Sequence, residues 1–189
     1  MSAAENFRWA LKVVLHHEGG FVDDRDDPGG ATDFGISLRF LKTVLEDADD
    51  DGFADGDINR DGDIDIDDIR ELDLEDVEKL YKNKFWKKAK CDKIGSQLVA
   101  VKVFDMAVNM GPGQAWKLVQ RACGTLGKPL VVDGKAGTKT LAAVNSLSKK
   151  DFMLVVNIRR EQDQFYERLI TKKPSLAKFR LGWRRRAAF

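Results

Sequence analysis

The sequence predicts a mainly α-helical protein. Apolar residues recur at helical spacing in four long stretches, which begin near residues 7, 96, 116 and 150. A Gly-Gly pair ends the first stretch, and a Gly-Pro-Gly turn ends the second. With 189 residues and a hydrophobic content of 43%, the chain can bury a sizeable core, as one domain or as one domain with a sub-lobe.

The first helix is predicted to end at Glu18, directly before Gly19-Gly20. Its buried face consists of Phe7, Ala10, Leu11, Val14 and Leu15. Glu18 follows Val14 by four residues and therefore continues that face. Partial burial raises the pKa of a carboxyl group, as a general acid near neutral pH requires. A salt-bridged glutamate at a helix end is the alternative interpretation.

A turn-rich, acidic loop follows over residues 26–36. Pro28 and the paired glycines predict a tight bend, across which Asp27 and Thr32 would face Glu18. A second carboxylate near a protonated one is the arrangement that glycoside hydrolysis uses. From these residues alone, we predict only an acid/base cleft.

Several ordered motifs resemble those of the Glu-Gly-Gly-motif muramidases of phage endolysin type, glycoside hydrolase family 108. The first is His17-Glu18-Gly19-Gly20-Phe21, followed by Asp27-Pro28-Gly29-Gly30-x-Thr32-x-x-Gly35-Ile36. The others are Tyr81-x-x-x-x-Trp86, Phe104-Asp105-x-x-Val108-Asn109-x-Gly111, Ala115-x-x-x-x-Gln120-Arg121-Ala122, Asp133-Gly134-x-x-Gly137-x-x-Thr140-Leu141, Arg160-x-x-x-x-Phe165-Tyr166 and Pro174-Ser175-x-x-Lys178-Phe179-x-x-Gly182-Trp183. The resemblance covers most of the chain and implies a lysozyme-like helical fold with a C-terminal peptidoglycan-binding region.

The resemblance implies that Glu18 is the catalytic acid. The T-even phage lysozymes use Glu, Asp and Thr in that order, and the spacing from Glu18 to Asp27 agrees with theirs. Thr32 comes one residue sooner than in that pattern, and Asp33 occupies the expected place. Asp27 is therefore a candidate nucleophile, a candidate base for a water molecule, or a turn residue that caps backbone amides.

An acidic insert interrupts the resemblance over residues 46–78. Within it, residues 57–68 have the layout of an EF-hand calcium loop, with Gly62 at the sharp turn. The predicted ligands are Asp57, Asn59, Asp61, Asp63 through its backbone carbonyl, Asp65 through water, and Asp68. Asp68 stands where most such loops have Glu, which resembles dockerin loops. The insert is therefore predicted to bind structural Ca²⁺.

A second half-site precedes this loop, with Asp47, Asp49 and Asp51 as its candidate ligands. It lacks a closing acid at its twelfth position, which Asp55 or Asp57 could replace. A disordered acidic loop is the alternative for the whole insert, because like charges repel one another. A dockerin-type partner module ranks lower, because it would need two complete loops.

The rest of the chain is predicted to form helices over residues 96–109, 116–124, 138–147 and 150–171. Candidate core residues of the last helix are Phe152, Val155, Val156, Ile158, Phe165 and Leu169. Asn109 and Gly111 lie at the turn after the second helix and are candidate substrate-binding residues. Asn109 could donate to a sugar N-acetyl group, or it could cap the helix end.

The net charge of +1 conceals a strong asymmetry. Residues 46–78 carry 17 acidic and 2 basic residues, a net of −15, and the remainder carries +16. A basic body attracts an anionic polymer such as peptidoglycan, and no nucleic-acid motif is recognised. The basic and aromatic tail, residues 172–189, could bind an anionic outer-membrane or wall polymer, or could form a final helix that packs its aromatic side chains on the body.

The two cysteines, Cys91 and Cys123, are predicted to be reduced, packed thiols, with one optional disulfide as the alternative. No secretory signal and no membrane span are recognised. The missing signal predicts synthesis in the cytoplasm, and the family resemblance implies release by another route, such as a holin pore, with action on the cell wall or periplasm. We expect a monomer.

These predictions describe a peptidoglycan hydrolase. Residues 1–95 would form its catalytic part and residues 96–189 its helical peptidoglycan-binding part, packed as one compact body. The expected reaction is cleavage of the β-1,4 bond between N-acetylmuramic acid and N-acetylglucosamine. The alternatives are a lytic transglycosylase that uses the same glutamate, a chitinase-like enzyme, and a non-catalytic, calcium-dependent wall-binding protein.

Overall fold

The structure is a computed structural model that describes residues 3–18, 32–33, 36–48 and 50–189. Contacts divide the chain into two compact units, one of Leu11–Asn83 and one of Met1–Ala10 with Lys84–Phe189. The predicted division at residues 95 and 96 followed the motifs instead, and it stays a prediction. No helix in the described part is long and apolar enough to cross a membrane.

Helices form nearly all of the regular structure among the described residues, which confirms the mainly α-helical prediction. The helices are α1 (Ala3–Glu18), α2 (Leu38–Leu41), α3 (Ile66–Glu71), α4 (Leu74–Tyr81), α5 (Gln97–Met110), α6 (Pro112–Thr125), α7 (Thr138–Ser146), α8 (Asp151–Lys172) and α9 (Arg180–Ala188). A π-helical turn spans Lys82–Lys87, and 3₁₀ turns span Cys91–Lys93, Ser148–Lys150 and Pro174–Phe179. Two short strands, β1 (Thr32–Asp33) and β2 (Ile36–Ser37), pair antiparallel.

The unit Leu11–Asn83 carries the acidic insert between α2 and α4. Its buried apolar residues are Leu11, Val14, Ile36, Leu41, Val44, Ile69, Leu72, Val77, Leu80 and Tyr81. The insert returns to α2 at Gly56, whose N–H donates to the Val44 carbonyl at 3.1 Å. A Cβ at Gly56 would lie 2.5 Å from the Leu41 carbonyl oxygen, so only glycine allows this approach.

Aspartates begin both helices that start within the insert. The Asp65 side chain accepts from the Asp67 N–H at the start of α3. The Asp73 side chain accepts from the Glu75 and Asp76 N–H groups at the start of α4. Each N-cap is completed by an acid three residues later, which is the capping-box arrangement. Part of the insert's acidic character therefore serves helix capping.

The second unit is built around α5, α6 and α8. Its largest fully buried side chains include Phe104, Met106, Trp116, Leu118, Leu154 and Ile158. Phe7, Trp86 and Phe104 pack edge to face, with ring centroids 5.4–5.9 Å apart. The Trp116 indole N–H donates to the Ala89 carbonyl at 2.9 Å, so this buried ring has a polar partner.

The predicted core of the last long helix is partly wrong. Val155 and Ile158 are buried, but Phe152 is 62% exposed and Val156 is 39% exposed. Phe165 and Leu169 are half-buried. Helical spacing identified the apolar face of this helix. The part of that face that packs against α5 and α6 is narrower than the apolar pattern, so Phe152 and Val156 remain exposed.

Candidate functional site

Glu18 is the last residue of α1, at the helix end where the sequence predicts it. The buried face before it contains Phe7, Ala10, Leu11 and Val14, as predicted. Thr32 begins β1 and pairs in register with Ser37 of β2. The side chains of Glu18 and Thr32, and the whole of Asp27, lie outside the described residues, so their catalytic roles stay predictions.

Asn109 lies in the last turn of α5, exposed to solvent, and the structure holds its amide in one orientation. The Tyr166 hydroxyl donates to Asn109 Oδ1 at 2.7 Å, and Gln162 Nε2 donates to the same hydroxyl at 2.9 Å. Burial raises the pKa of Tyr166 to about 12, so its hydroxyl stays a donor at neutral pH. The Asn109 Nδ2 group makes no hydrogen bond with any other described residue, which leaves it available to an acceptor on a ligand.

Gly111 joins α5 to α6 with a φ of +80°, which favours glycine. Its N–H donates to the Ala107 carbonyl at 3.0 Å, and its carbonyl accepts from the Ala115 N–H at 3.1 Å. Both backbone groups are therefore used within the helices. The glycine forms the turn between α5 and α6, and its predicted contact with substrate stays a prediction.

Gln120 organises the loop that contains the Asp133-Gly134 motif. Its Nε2 donates to Asp133 Oδ1 at 2.8 Å, and its Oε1 accepts from the Gly134 N–H at 2.9 Å. Gly134 has a φ of +78°, and a Cβ there would lie 2.5 Å from the Gly113 carbonyl oxygen. These contacts hold the Asp133-Gly134 loop next to the Gly111–Gly113 turn.

Sequence reasoning gave no role to Gln120, Gln162 or Tyr166. Gln120 and Tyr166 lie within the family motifs given in the sequence analysis, and this membership is the signal that could have identified them. Gln162 lies outside those motifs, four residues before Tyr166 on the same helix.

The EF-hand-like loop surrounds its carboxylates with backbone donors. The Asp57 carboxylate accepts from the N–H groups of Asp61 at 3.2 Å and Gly62 at 3.0 Å. Asp68 Oδ1 accepts from Ile58 N–H at 2.6 Å, and its Oδ2 accepts from Asp65 N–H at 2.7 Å. These bonds fold the loop back on itself, and Gly62 has a φ of +97° at the turn.

The carboxylate oxygens of Asp63, Asp65 and Asp68 lie within 4.8 Å of one another. Repulsion from Asp61 is the largest cause that raises the pKa of Asp63, and burial adds to it. This group does not include Asp57 and Asp61, which were also predicted as ligands, and it includes the carboxylate of Asp63, which was predicted to bind through its backbone carbonyl. Carboxylate and amide oxygens are the donors that Ca²⁺ prefers, so the residues present fit that ion.

The second half-site repeats this local geometry ten residues earlier. Asp47 accepts from Asp51 N–H at 3.1 Å and from Gly52 N–H at 2.9 Å. Cationic side chains already contact this half-site. Lys79 Nζ lies 3.3 Å from Asp55 Oδ1, and Arg60 Nη2 lies 3.0 Å from Asp51 Oδ2. Asp49 lies outside the described residues.

The tail forms α9, and an aromatic side chain of the tail packs on the body. The rings of Tyr166 and Trp183 stack 4.9 Å apart at 17°. Arg186 Nε donates to Asp105 Oδ1 at 2.9 Å, and Lys102 Nζ donates to the Arg186 and Ala187 carbonyls at 3.1 and 3.2 Å. These contacts favour the packed final helix of the two interpretations, with Arg180, Arg184 and Arg185 exposed.

Both cysteines, Cys91 and Cys123, are free and buried. Burial raises the pKa of each thiol, that of Cys123 to about 11. Thiols in this state are poor nucleophiles, because the thiolate is the reactive form. The packed-thiol prediction agrees with this arrangement.

Two protein-family models match this chain. Residues 11–111 match the family model described as glycosyl hydrolase 108, and residues 114–188 match the model described as "Predicted Peptidoglycan domain". The chain is similar to a solved structure titled "Structure of Brucella abortus SagA", with 25% identity and a TM-score of 0.71. The similarity covers 98% of this chain and 91% of that one. No curated protein matches the sequence.

The two family matches together span nearly all of the helical frame, from the second half of α1 to the end of α9. The chain therefore belongs to glycosyl hydrolase family 108 and is a lysozyme-like peptidoglycan hydrolase with a C-terminal peptidoglycan-binding region.

Proposed function

We propose that this protein hydrolyses the β-1,4 bond between N-acetylmuramic acid and N-acetylglucosamine, with Glu18 as the general acid. The observation that carries the proposal is the family match over residues 11–111, which contains Glu18 and Asn109. Glu18 is the last residue of α1, and the residues Phe7, Ala10, Leu11 and Val14 before it are buried.

In this mechanism the protonated Glu18 donates its proton to the leaving glycosidic oxygen. The positive charge that develops on the sugar ring is met by Asp27, either as a nucleophile or as the base for an attacking water molecule. Thr32, which begins β1, would orient that water or the carboxylate. The anomeric configuration of the first product distinguishes the two roles of Asp27, because a nucleophile retains the configuration.

Asn109 is proposed to contact the N-acetyl group of a bound sugar. Its side-chain carbonyl is committed to the Tyr166 hydroxyl, so its Nδ2 group is the part that faces a ligand. An amide donor suits the carbonyl oxygen of an acetamido group. This geometry supports sugar binding over capping of α5, because Nδ2, which could donate to the free carbonyls at that helix end, makes no hydrogen bond with any described residue.

We also propose that the insert holds one structural Ca²⁺ through Asp57, Asn59, Asp61, Asp63, Asp65 and Asp68. Bound calcium would neutralise a cluster whose carboxylates otherwise repel one another. The residues of the half-site, Asp47, Asp49 and Asp51, are assigned no second ion, because Lys79 and Arg60 already supply positive charge there.

The test is mass spectrometry of the soluble products from purified peptidoglycan, comparing wild type with Glu18→Gln in calcium buffer. We expect muropeptides with reducing muramic ends from the wild type and none from the variant. Products with 1,6-anhydro ends would instead identify a lytic transglycosylase. Sedimentation with peptidoglycan without any product would identify a non-catalytic wall-binding protein.

A further inference from the structure

Helices α8 and α9 bring three arginines to one groove. Arg159 and Arg160 of α8 and Arg184 of α9 line a cavity of about 340 Å³. One carboxylate, that of Asp163, lines the same groove. The lining side chains therefore carry an excess of two positive charges on an open surface.

In this arginine groove, Arg159 is engaged by the protein itself, through two hydrogen bonds to Phe189, whereas Arg160 and Arg184 are left largely to a ligand. Arg184 Nε lies 3.7 Å from Asp163 Oδ1, and Arg184 Nη2 lies 3.5 Å from Glu167 Oε1. Charge-assisted hydrogen bonds are shorter, about 2.7–2.9 Å. Arg160 is exposed and makes no hydrogen bond or ion pair with any other residue in the described part of the chain.

The two helices that carry these arginines are fastened to each other and to α5. Arg159 donates through Nε and Nη2 to a main-chain carboxylate oxygen of Phe189, at 2.9 and 2.6 Å. Ala187, which lines the groove, is 4% exposed, and its carbonyl accepts from Lys102 Nζ. A groove on a rigid frame needs little ordering when a ligand binds, which favours affinity.

We propose that the arginine groove binds the free carboxylates of peptidoglycan stem peptides. The planar guanidinium group matches a carboxylate with two parallel hydrogen bonds. Besides Arg184, residues 172–189 add six Lys and Arg residues and no Asp or Glu, so the surrounding field also attracts an anionic polymer. The peptidoglycan-domain match, residues 114–188, contains both helices. The identity of the polymer rests on the proposed function, whereas the position and chemistry of the groove do not.

The test measures binding of a soluble stem tetrapeptide to the full-length protein by calorimetry, with the same peptide amidated at its carboxyl groups as a second probe. The variant is Arg160→Glu/Arg184→Glu. The matched control is Lys149→Glu/Lys150→Glu, which makes the same charge change on exposed residues. These lysines lie at least nine residues before Arg159, about 14 Å along the helix axis.

We expect the groove variant to weaken binding of the free tetrapeptide at least tenfold and the control variant to change it less than twofold. The amidated peptide should bind the wild type as weakly as the free peptide binds the groove variant. Equal binding of the two peptides, or equal losses in the two variants, would overturn the proposal. Binding of the wild type to anionic lipid vesicles but not to the tetrapeptide would also overturn it, in favour of a membrane surface.

Hydrolysis of glycan strands stripped of their peptides separates this proposal from the proposed function. Such strands offer the glycosidic bond but no stem carboxylate. We expect the groove variant to cleave them at the wild-type rate while it loses tetrapeptide binding. Absence of cleavage by the wild type, with tetrapeptide binding intact, would contradict the hydrolase mechanism and leave the groove proposal standing.

Discussion

The Tyr166 hydroxyl lies 2.7 Å from Asn109 Oδ1 and joins α8 to the end of α5. Tyr166 is 3% exposed, whereas Asn109 is exposed to solvent. The buried Tyr166 hydroxyl therefore fixes the orientation of the exposed Asn109 amide. Because Gln162 donates to the same hydroxyl, the proton of the phenol is directed toward Asn109.

Tyr166→Phe removes the hydroxyl that orients Asn109. We expect KM for peptidoglycan oligosaccharides to rise several-fold with a smaller change in kcat, because the contact orients a binding group and not the reacting bond. The substitution removes both hydrogen bonds of the hydroxyl and leaves the buried Gln162 Nε2 without this partner, so the free energy of unfolding should fall by about 1–3 kcal/mol.

A double-mutant cycle with Asn109→Ala provides the control for this prediction. If Tyr166 acts through Asn109, Tyr166→Phe should leave KM unchanged in the Asn109→Ala background, while its effect on stability remains. Additive effects of the two substitutions on KM would contradict the positioning role.

The sequence predicted the helices well because their periodic apolar faces are local signals. The last long helix, predicted over 150–171, spans Asp151–Lys172. Its exposed Phe152 was misassigned to the core, because periodicity shows which residues share a face and not how much of that face is covered.

Contacts between distant residues could not be predicted in the same way. Asn109 and Tyr166 are 57 residues apart, and Lys102 meets the Ala187 carbonyl across 85 residues. No local pattern encodes such pairs, since only the packing of α5 against α8 and α9 brings them together. The predicted calcium loop is the opposite case, because its predicted ligands lie within 12 consecutive positions and their spacing can be read directly.

Removal of calcium should destabilise the protein. A ligand that binds only the folded state at 100 times its dissociation constant contributes about 2.7 kcal/mol, which for a domain of this size raises Tm by roughly 5–10 °C. We expect excess chelator to lower Tm by that amount, measured by calorimetry. Equal melting temperatures in calcium and in chelator would contradict the calcium site.

Single substitutions locate the ion. Asp57→Asn removes a predicted ligand, so the stabilisation by calcium should be largely lost. Asp50→Asn makes the same charge change in the same insert at an exposed residue with a φ of +58°, a conformation that Asn tolerates. This control should keep the full response to calcium, and an equal loss in both variants would indicate a diffuse charge effect.

Gly134→Ala should destabilise the loop that Gln120 holds. The added Cβ would lie 2.5 Å from the Gly113 carbonyl oxygen, and the φ of +78° disfavours any side chain. We expect a loss of about 2 kcal/mol in chemical denaturation. Gly124→Ala is the control, since a Cβ there meets nothing within 4 Å inside α6, and it should be neutral or stabilising. Similar losses in both variants would show that close approach at Gly113 is not the cause.

Lys102 should make stability depend on pH in the alkaline range. Burial lowers the pKa of its ammonium group from 10.5 to about 8, against the opposing effect of Asp105. Between these two values the unfolded chain binds more protons at this residue than the folded chain does, so the free energy of unfolding rises with pH in that window. Below pH 8 both states are protonated, and the cost of burying the charge is present in full.

The measurement is the difference in unfolding free energy between wild type and Lys102→Met, taken by denaturant titration from pH 7 to 10.5. Other groups that titrate in this range cancel in the difference, and Asp105 keeps its bond to Arg186. We expect wild type to gain stability relative to the variant from about pH 8 upward. A difference that stays constant, or that falls as pH rises, would mean that the folded protein does not lower the pKa of Lys102.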